Sequence, residues 1–80
     1  MSLRIIIKPI QIQKWITERC GTPARRRGTD ADLAVLFDQA NPEFEAISFD
    51  ELSETMRFNR LVFLVDQEPD KKFHKFVQHG

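Results

Sequence analysis

The sequence predicts an α+β domain in which two helices pack on a largely antiparallel sheet of about four or five strands. Two segments carry apolar residues at helical spacing, and several short apolar segments between turn residues have the length of strands. A local helix-start signal precedes the second helix. The predicted order is (β)-α-β-β-α-β-β, and a length of 80 residues predicts one domain over residues 1–80.

The first part of the chain predicts an extended segment followed by a helix. Arg4 to Lys8 is a short β-branched run that ends before a proline, which favours an edge strand or an extended lead-in. From about Ile10 to Cys20, apolar residues recur every three or four positions, as on one face of a helix. Gly21 stands where a left-handed residue ends many helices, and Pro23 prevents the helix from continuing.

The next part of the chain predicts a β-hairpin and then a loop. Ala24 to Arg27 is extended, Gly28 to Asp32 has turn chemistry, and Leu33 to Phe37 is an apolar run of strand length. Asp38 to Glu45 contains Asn41-Pro42 and is predicted to be a loop.

A capping box with a hydrophobic staple marks the start of the second helix. The Ser48 hydroxyl can accept the Glu51 backbone N–H, the Glu51 carboxylate can return to the Ser48 N–H, and Ile47 can pack on Leu52. The helix is predicted from Phe49 to about Phe58. Asn59 follows it as a plausible left-handed stop.

The last third of the chain predicts two more strands. Leu61 to Val65 is the most apolar segment, so we expect it in the middle of a sheet with both faces at least partly covered. Asp66 to Lys72 is polar and predicts a loop, and Phe73 to Gln78 predicts the final strand. Both halves run helix, strand, strand, but their residues do not repeat, which indicates coincidence rather than an internal repeat.

Composition and charge favour a soluble cytoplasmic protein. The net charge is zero, with seven basic and two acidic residues in 1–30, one and seven in 31–59, and four and three in 60–80. Segments of opposite sign usually cancel across a folded surface. The single cysteine excludes an intrachain disulfide, and we expect neither a signal peptide nor a membrane span.

The segment Arg25-Arg26-Arg27 is the one candidate binding site in the sequence. Three guanidiniums before a Gly28-Thr29 turn are typical of phosphate contacts or of contacts to an acidic partner, and Lys14 is a further candidate cation. In a strand, however, alternation sends Arg25 and Arg27 to one face and Arg26 to the other. Arginines on an edge strand also discourage aggregation, so a solvated face is the alternative interpretation.

No catalytic or metal-binding pattern is present. Cys20, His74 and His79 lack the paired short spacings of a zinc site, and nothing in the sequence brings Cys20 and His74 together as a nucleophile and its base. We expect Cys20 to sit at the edge of the core, at the end of the apolar face of the first helix. Trp15 shares the apolar face of that helix and is expected to anchor the core.

The combination of these motifs resembles a widespread group of small uncharacterised bacterial proteins over roughly residues 12–78. The corresponding segments here are Trp15, Arg19-Cys20-Gly21-Thr22-Pro23-Ala24, Gly28-Thr29, Leu33 to Phe37, Ile47-Ser48-Phe49-Asp50-Glu51, Leu61 to Val65 and Phe73-His74-Lys75-Phe76-Val77. Three positions depart from the group's usual residues: Phe49, Cys20 and Phe76. Some members carry the name 1,4-alpha-glucan branching enzyme, but 80 residues cannot build the two-carboxylate site that glycoside chemistry requires.

These observations together predict a non-enzymatic interaction module without a cofactor. We expect it to bind a protein partner or itself, through a sheet edge or the acidic face of the second helix. The alternative function is a nucleic-acid-binding accessory protein that uses Arg25, Arg26, Arg27 and Lys14.

Overall fold

A computed structural model describes residues 2–37 and 41–78 of the chain. Its elements are β1 (Leu3–Ile6), α1 (Pro9–Glu18), β2 (Gly21–Arg26), β3 (Leu33–Phe37), β4 (Phe44–Ala46), α2 (Phe49–Phe58), β5 (Leu61–Asp66) and β6 (His74–Gln78). The α+β class is confirmed. The six strands exceed the predicted four or five, and they form two antiparallel sheets, ordered β1-β5-β6 and β3-β2-β4, rather than one.

Strand β4 lies where the sequence predicted only a loop. It is three residues long and pairs with β2, Ala24 opposite Ala46 and Arg26 opposite Phe44. The pairing stops at Pro23, whose carbonyl accepts the Ile47 N–H at 3.0 Å but which has no N–H to return. The chain therefore leaves the sheet at this point and enters α2. The start of the predicted loop, Asp38, lies outside the described residues.

The left-handed residue after each helix differs from the prediction. Helix α1 stops at Glu18, and the left-handed residue after it is Cys20, with φ 57°, rather than Gly21. In α2, Asn59 has φ −98°, and the left-handed position falls on Arg60, with φ 55°. Gly21 instead opens β2, where an added Cβ would lie 2.7 Å from Val35 Cγ1. The close approach of this neighbour requires glycine there.

The predicted start of α2 is confirmed, although among the described residues only one of the two predicted capping-box hydrogen bonds forms. The Ser48 Oγ accepts the Glu51 N–H at 3.1 Å, and the helix spans the predicted Phe49–Phe58. Ile47 and Leu52 are both buried in the core, as the hydrophobic staple requires. No described helix is both long enough and apolar enough to cross a membrane.

One continuous core joins both helices to a single face of each sheet. In the first sheet this face carries Ile6, Phe63 and Val65, and in the second it carries Leu33 and Val35. The helices add their apolar faces to this cluster: Ile12, Trp15 and Ile16 from α1, and Leu52 and Met56 from α2. The domain measures 33 × 32 × 19 Å, the thickness of one helix layer on one layer of strands.

The two halves repeat more closely than the sequence indicated. A shift of 40 residues carries α1 onto α2 and β2 onto β5, and each half has the order strand, helix, strand, strand. The first strands are exchanged, because β1 pairs with β5 of the second half while β4 pairs with β2 of the first. Strands β3 and β6 lie side by side where the sheets meet. The domain is therefore an approximate two-fold arrangement of two similar halves.

Candidate functional site

The three adjacent arginines lie at the end of β2 and are all paired with acids. Arg25 Nη2 lies 2.9 Å from Glu45 Oε1, and Arg27 Nη1 lies 3.7 Å from Glu45 Oε2. Arg26 does not share the Glu45 carboxylate. Its Nε lies 2.6 Å from Asp32 Oδ2. The predicted alternation of the side chains is thus confirmed. The hydrogen bond to Glu45 raises the pKa of Arg25, so its charge is held.

Lys14 lies apart from the arginines. It lines a groove between α1 and the first sheet, with Arg4 and Glu18, whereas Arg25 lines a different groove, with Asp30 and Glu54. The structure therefore does not gather the four candidate cations into one patch. A phosphate at the arginine segment would have to compete with the carboxylates already there. The role of the arginine segment and of Lys14 as phosphate or partner contacts stays a prediction.

Arg19 is the most connected polar side chain in the described chain, and sequence reasoning missed its role. Only 8% of it is exposed, and its guanidinium donates to the carbonyl oxygens of Trp15, of the end of β5 and of the loop that follows. The acceptors beyond Trp15 are Asp66 at the end of β5 and Gln67, Glu68 and Lys71 in the loop, at 2.7–3.4 Å. The guanidinium carbon also lies 4.2 Å from the centre of the Trp15 ring. The detectable signal was an arginine just after a helix, where carbonyls lack partners.

His74 lies at the junction of the two sheets. Its Nε2 accepts the Val35 N–H from β3 at 3.3 Å, and its Nδ1 is 3.1 Å from the Lys72 carbonyl oxygen. This pair of contacts fits a neutral ring protonated on Nδ1. The imidazole lies against aromatic rings of both sheets and of α1, namely Trp15, Phe37, Phe63 and Phe76. It therefore fills the junction as a structural side chain with both nitrogens engaged.

The position of Cys20 was predicted wrongly. Cys20 is exposed on the connection between α1 and β2, rather than at the edge of the core. Within the residues that the structure describes, no group of three or more His, Cys, Asp or Glu side chains could hold a metal ion. His79 lies outside those residues.

The stability of the domain should fall when His74 is forced to take a second proton. Burial lowers the pKa of His74 below its ordinary value of 6.5, and the bond to Lys72 only partly opposes this shift. Below pH 6.5 His74 binds a proton in the unfolded chain but remains neutral in the folded chain until the pH reaches its lower folded pKa. The free energy of unfolding therefore decreases as the pH falls from 6.5 towards that folded pKa. Urea unfolding followed across this range measures the slope. His74→Phe should flatten that slope, and an equal slope in both proteins would contradict the assignment.

The outer edge of the first sheet carries exposed apolar side chains. Leu3 and Ile5 of β1 are 46% and 58% exposed, and Val77 of β6 is 37% exposed. They share the face opposite the core, together with the half-buried Leu64, which lies opposite Ile5. We call Leu3, Ile5, Leu64 and Val77 the open face. A single exposed apolar residue needs no explanation, but a group on one sheet face indicates an interaction surface.

No protein-family model, curated protein or solved structure matches the chain. The resemblance to the bacterial group therefore stays a prediction.

Proposed function

We propose that the chain is a non-enzymatic interaction module that binds a second copy of itself through the free edge of β1. The observation that carries the proposal is the exposure of Leu3 and Ile5, two residues of the open face that lie on the edge strand β1. Exposed apolar edge strands readily pair with another strand. Pairing of this kind is the interaction to which the free edge is best suited.

The backbone register supports the use of this edge. Ser2 O accepts the Gln67 N–H at 2.7 Å, and residues alternate between bonded and non-bonded pairs along an antiparallel ladder. Arg4 and Ile6 therefore bond to β5, whereas Leu3 and Ile5 direct their N–H and C=O groups outward. The Asp66 N–H agrees with this alternation, because it points away from Leu3 and donates to Phe73 O. The exposed apolar residues are thus also the residues with free backbone groups.

A second copy complements this edge under two-fold symmetry. An axis through Ile5 places Ile5 opposite its equivalent and Leu3 opposite Ile7, so outward backbone groups meet outward backbone groups. Arg4 then faces Ile6 and Lys8 faces Ser2, so no two like charges lie directly opposite each other. Arg25, Arg26 and Arg27 already form ion pairs with acids of the same chain. Backbone pairing and apolar contact are therefore the main forces that hold the proposed dimer together.

The test is the oligomeric state of the chain and of two matched variants, measured by sedimentation velocity over a range of concentrations. Ile5→Lys places two lysines opposite each other at the axis and should raise the dimer dissociation constant by about tenfold or more. Ile10→Lys makes the same change at an exposed position of α1 and should leave association unchanged. Ile5→Pro removes only an outward N–H, so it should block pairing while the fold is retained.

A chain that remains monomeric at every concentration would overturn the proposal, as would equal association of the Ile5→Lys and Ile10→Lys variants. Circular dichroism of each variant shows whether the fold is intact. If Ile5→Lys loses both its fold and its association, the association of the Ile5→Pro variant is the test. An Ile5→Pro variant that is folded and still dimeric would place any interface elsewhere.

A further inference from the structure

An apolar groove of about 630 Å³ lies between the start of α1 and the end of α2. Its walls include Ile7 and Ile12 on one side and Met56, Leu61 and Val62 on the other. Volumes between 300 and 1,000 Å³ are typical of small-molecule sites, which are mostly apolar with a few well-placed polar groups. The groove shares Ile7 with the β1 edge of the proposed dimer, and its other lining residues are not part of that edge. We therefore consider its ligand separately.

Two arginines supply the charge of this groove. Arg57 and Arg60 both line it, no carboxylate does, and neither guanidinium makes an ion pair or hydrogen bond with any residue that the structure describes. Arg25, by contrast, has Glu45 within 2.9 Å. Unpaired guanidiniums beside an apolar surface complement a carboxylate, which arginine can bind through two parallel hydrogen bonds.

The approximate two-fold relation between the halves provides an internal comparison. Pro9 and Phe49 both occupy the first position of their helices, but Phe49 packs against the core whereas Pro9 is exposed. The shift of 40 residues places Thr17 and Cys20 at the positions equivalent to Arg57 and Arg60. The equivalent position, between the start of α2 and the end of α1, therefore has neither the cations nor a small residue at the helix start, and the combination is specific to this groove.

We propose that this groove binds a free alkyl carboxylate, with its alkyl chain against Ile12, Met56 and Leu61 and its carboxylate at Arg57 and Arg60. The apolar walls account for the chain, and the absence of any lining acid accounts for the sign of the head group. An uncharged amphiphile would leave the two arginines without a partner, and a cationic one would be repelled.

Decanoate below its critical micelle concentration is the probe that tests the proposal. The chain has two methionines, so the Met56 methyl group gives an assignable ¹H–¹³C signal inside the groove. Decanoate should shift this signal in a saturable manner, and decyltrimethylammonium should not. Arg57→Gln combined with Arg60→Asn should weaken decanoate binding by about tenfold or more, and asparagine suits the left-handed position of Arg60.

Two further variants serve as controls. Arg4→Gln combined with Lys14→Gln removes the same charge from a different groove and should leave the affinity for decanoate unchanged. Pro9→Phe introduces the residue of the other half and should fill the groove, which lowers binding without loss of charge. The retained methyl spectrum of each variant shows that it is folded.

Three results would overturn the proposal: no shift of the Met56 methyl with decanoate, equal binding of the cationic amphiphile, or equal weakening by the two charge-removing pairs. Sedimentation with anionic phospholipid vesicles separates a second source of the same chemistry. Vesicle binding without a decanoate response would assign the arginines to a membrane surface and exclude a free carboxylate ligand.

Discussion

Arg19→Met is expected to lower the free energy of unfolding by about 3–5 kcal/mol, because the groups that the guanidinium satisfies stay in place when it is removed. Methionine has a similar length and apolar stem but no donor. The carbonyl oxygens of Trp15, Asp66 and Lys71 would each lose a donor in a partly or fully buried position. The stacking of the guanidinium on Trp15 would be lost as well.

Chemical denaturation of three variants measures this effect. Arg19→Lys keeps the charge but not the planar fork, so it should recover only a minor part of the loss. Arg4→Met makes the same change at an exposed arginine and should alter stability by about 0.5 kcal/mol or less. A loss for Arg19→Met no larger than that for Arg4→Met would show that the carbonyl oxygens find other donors.

Gly21→Ala is expected to destabilise the domain by about 1–3 kcal/mol, although glycine to alanine in a strand usually has the opposite sign. The added Cβ would lie 2.7 Å from Val35 Cγ1, 2.9 Å from Phe37 Cε1 and 3.2 Å from Ile16 Cγ2. All three belong to residues of the core or packed against it, so none can move away without disturbing a neighbour.

A double-mutant cycle with Val35→Ala tests the cause of this loss. Val35→Ala alone should be destabilising because it leaves a cavity, but it also removes the atom closest to the new Cβ. The combined variant should therefore be more stable than the sum of the two single changes predicts. Simple additivity would mean that the contact with Val35 is not the source of the loss.

The parts of the fold that depend on neighbouring residues could be predicted from the sequence. The start of α2 follows from Ser48, Glu51 and the flanking apolar residues, which act within one turn. The hairpin of β2 and β3 follows from the turn residues between two strand-forming segments. The central position of β5 follows from its continuous apolar character.

The parts that depend on distant residues could not be predicted. Strand β4 forms because a particular stretch of β2 is free to pair with it, and three residues carry too little pattern to indicate a strand. Gly21 is required by its close contact with Val35, which lies on another strand, and not by a left-handed conformation, which falls on Cys20. The roles of Arg19 and His74 depend on partners on other elements, Arg19 through contacts as far as 52 residues along the chain.

The exchange of first strands between the halves makes the whole chain the smallest cooperative unit. The sheet β1-β5-β6 takes one strand from the first half and two from the second, and the sheet β3-β2-β4 does the reverse. A fragment of either half would lack one strand of a sheet and would have to bury its helix against an incomplete surface. Folding must therefore bring together segments about sixty residues apart, as Leu3 and Asp66 are, and such a high contact order implies a slow, all-or-none transition.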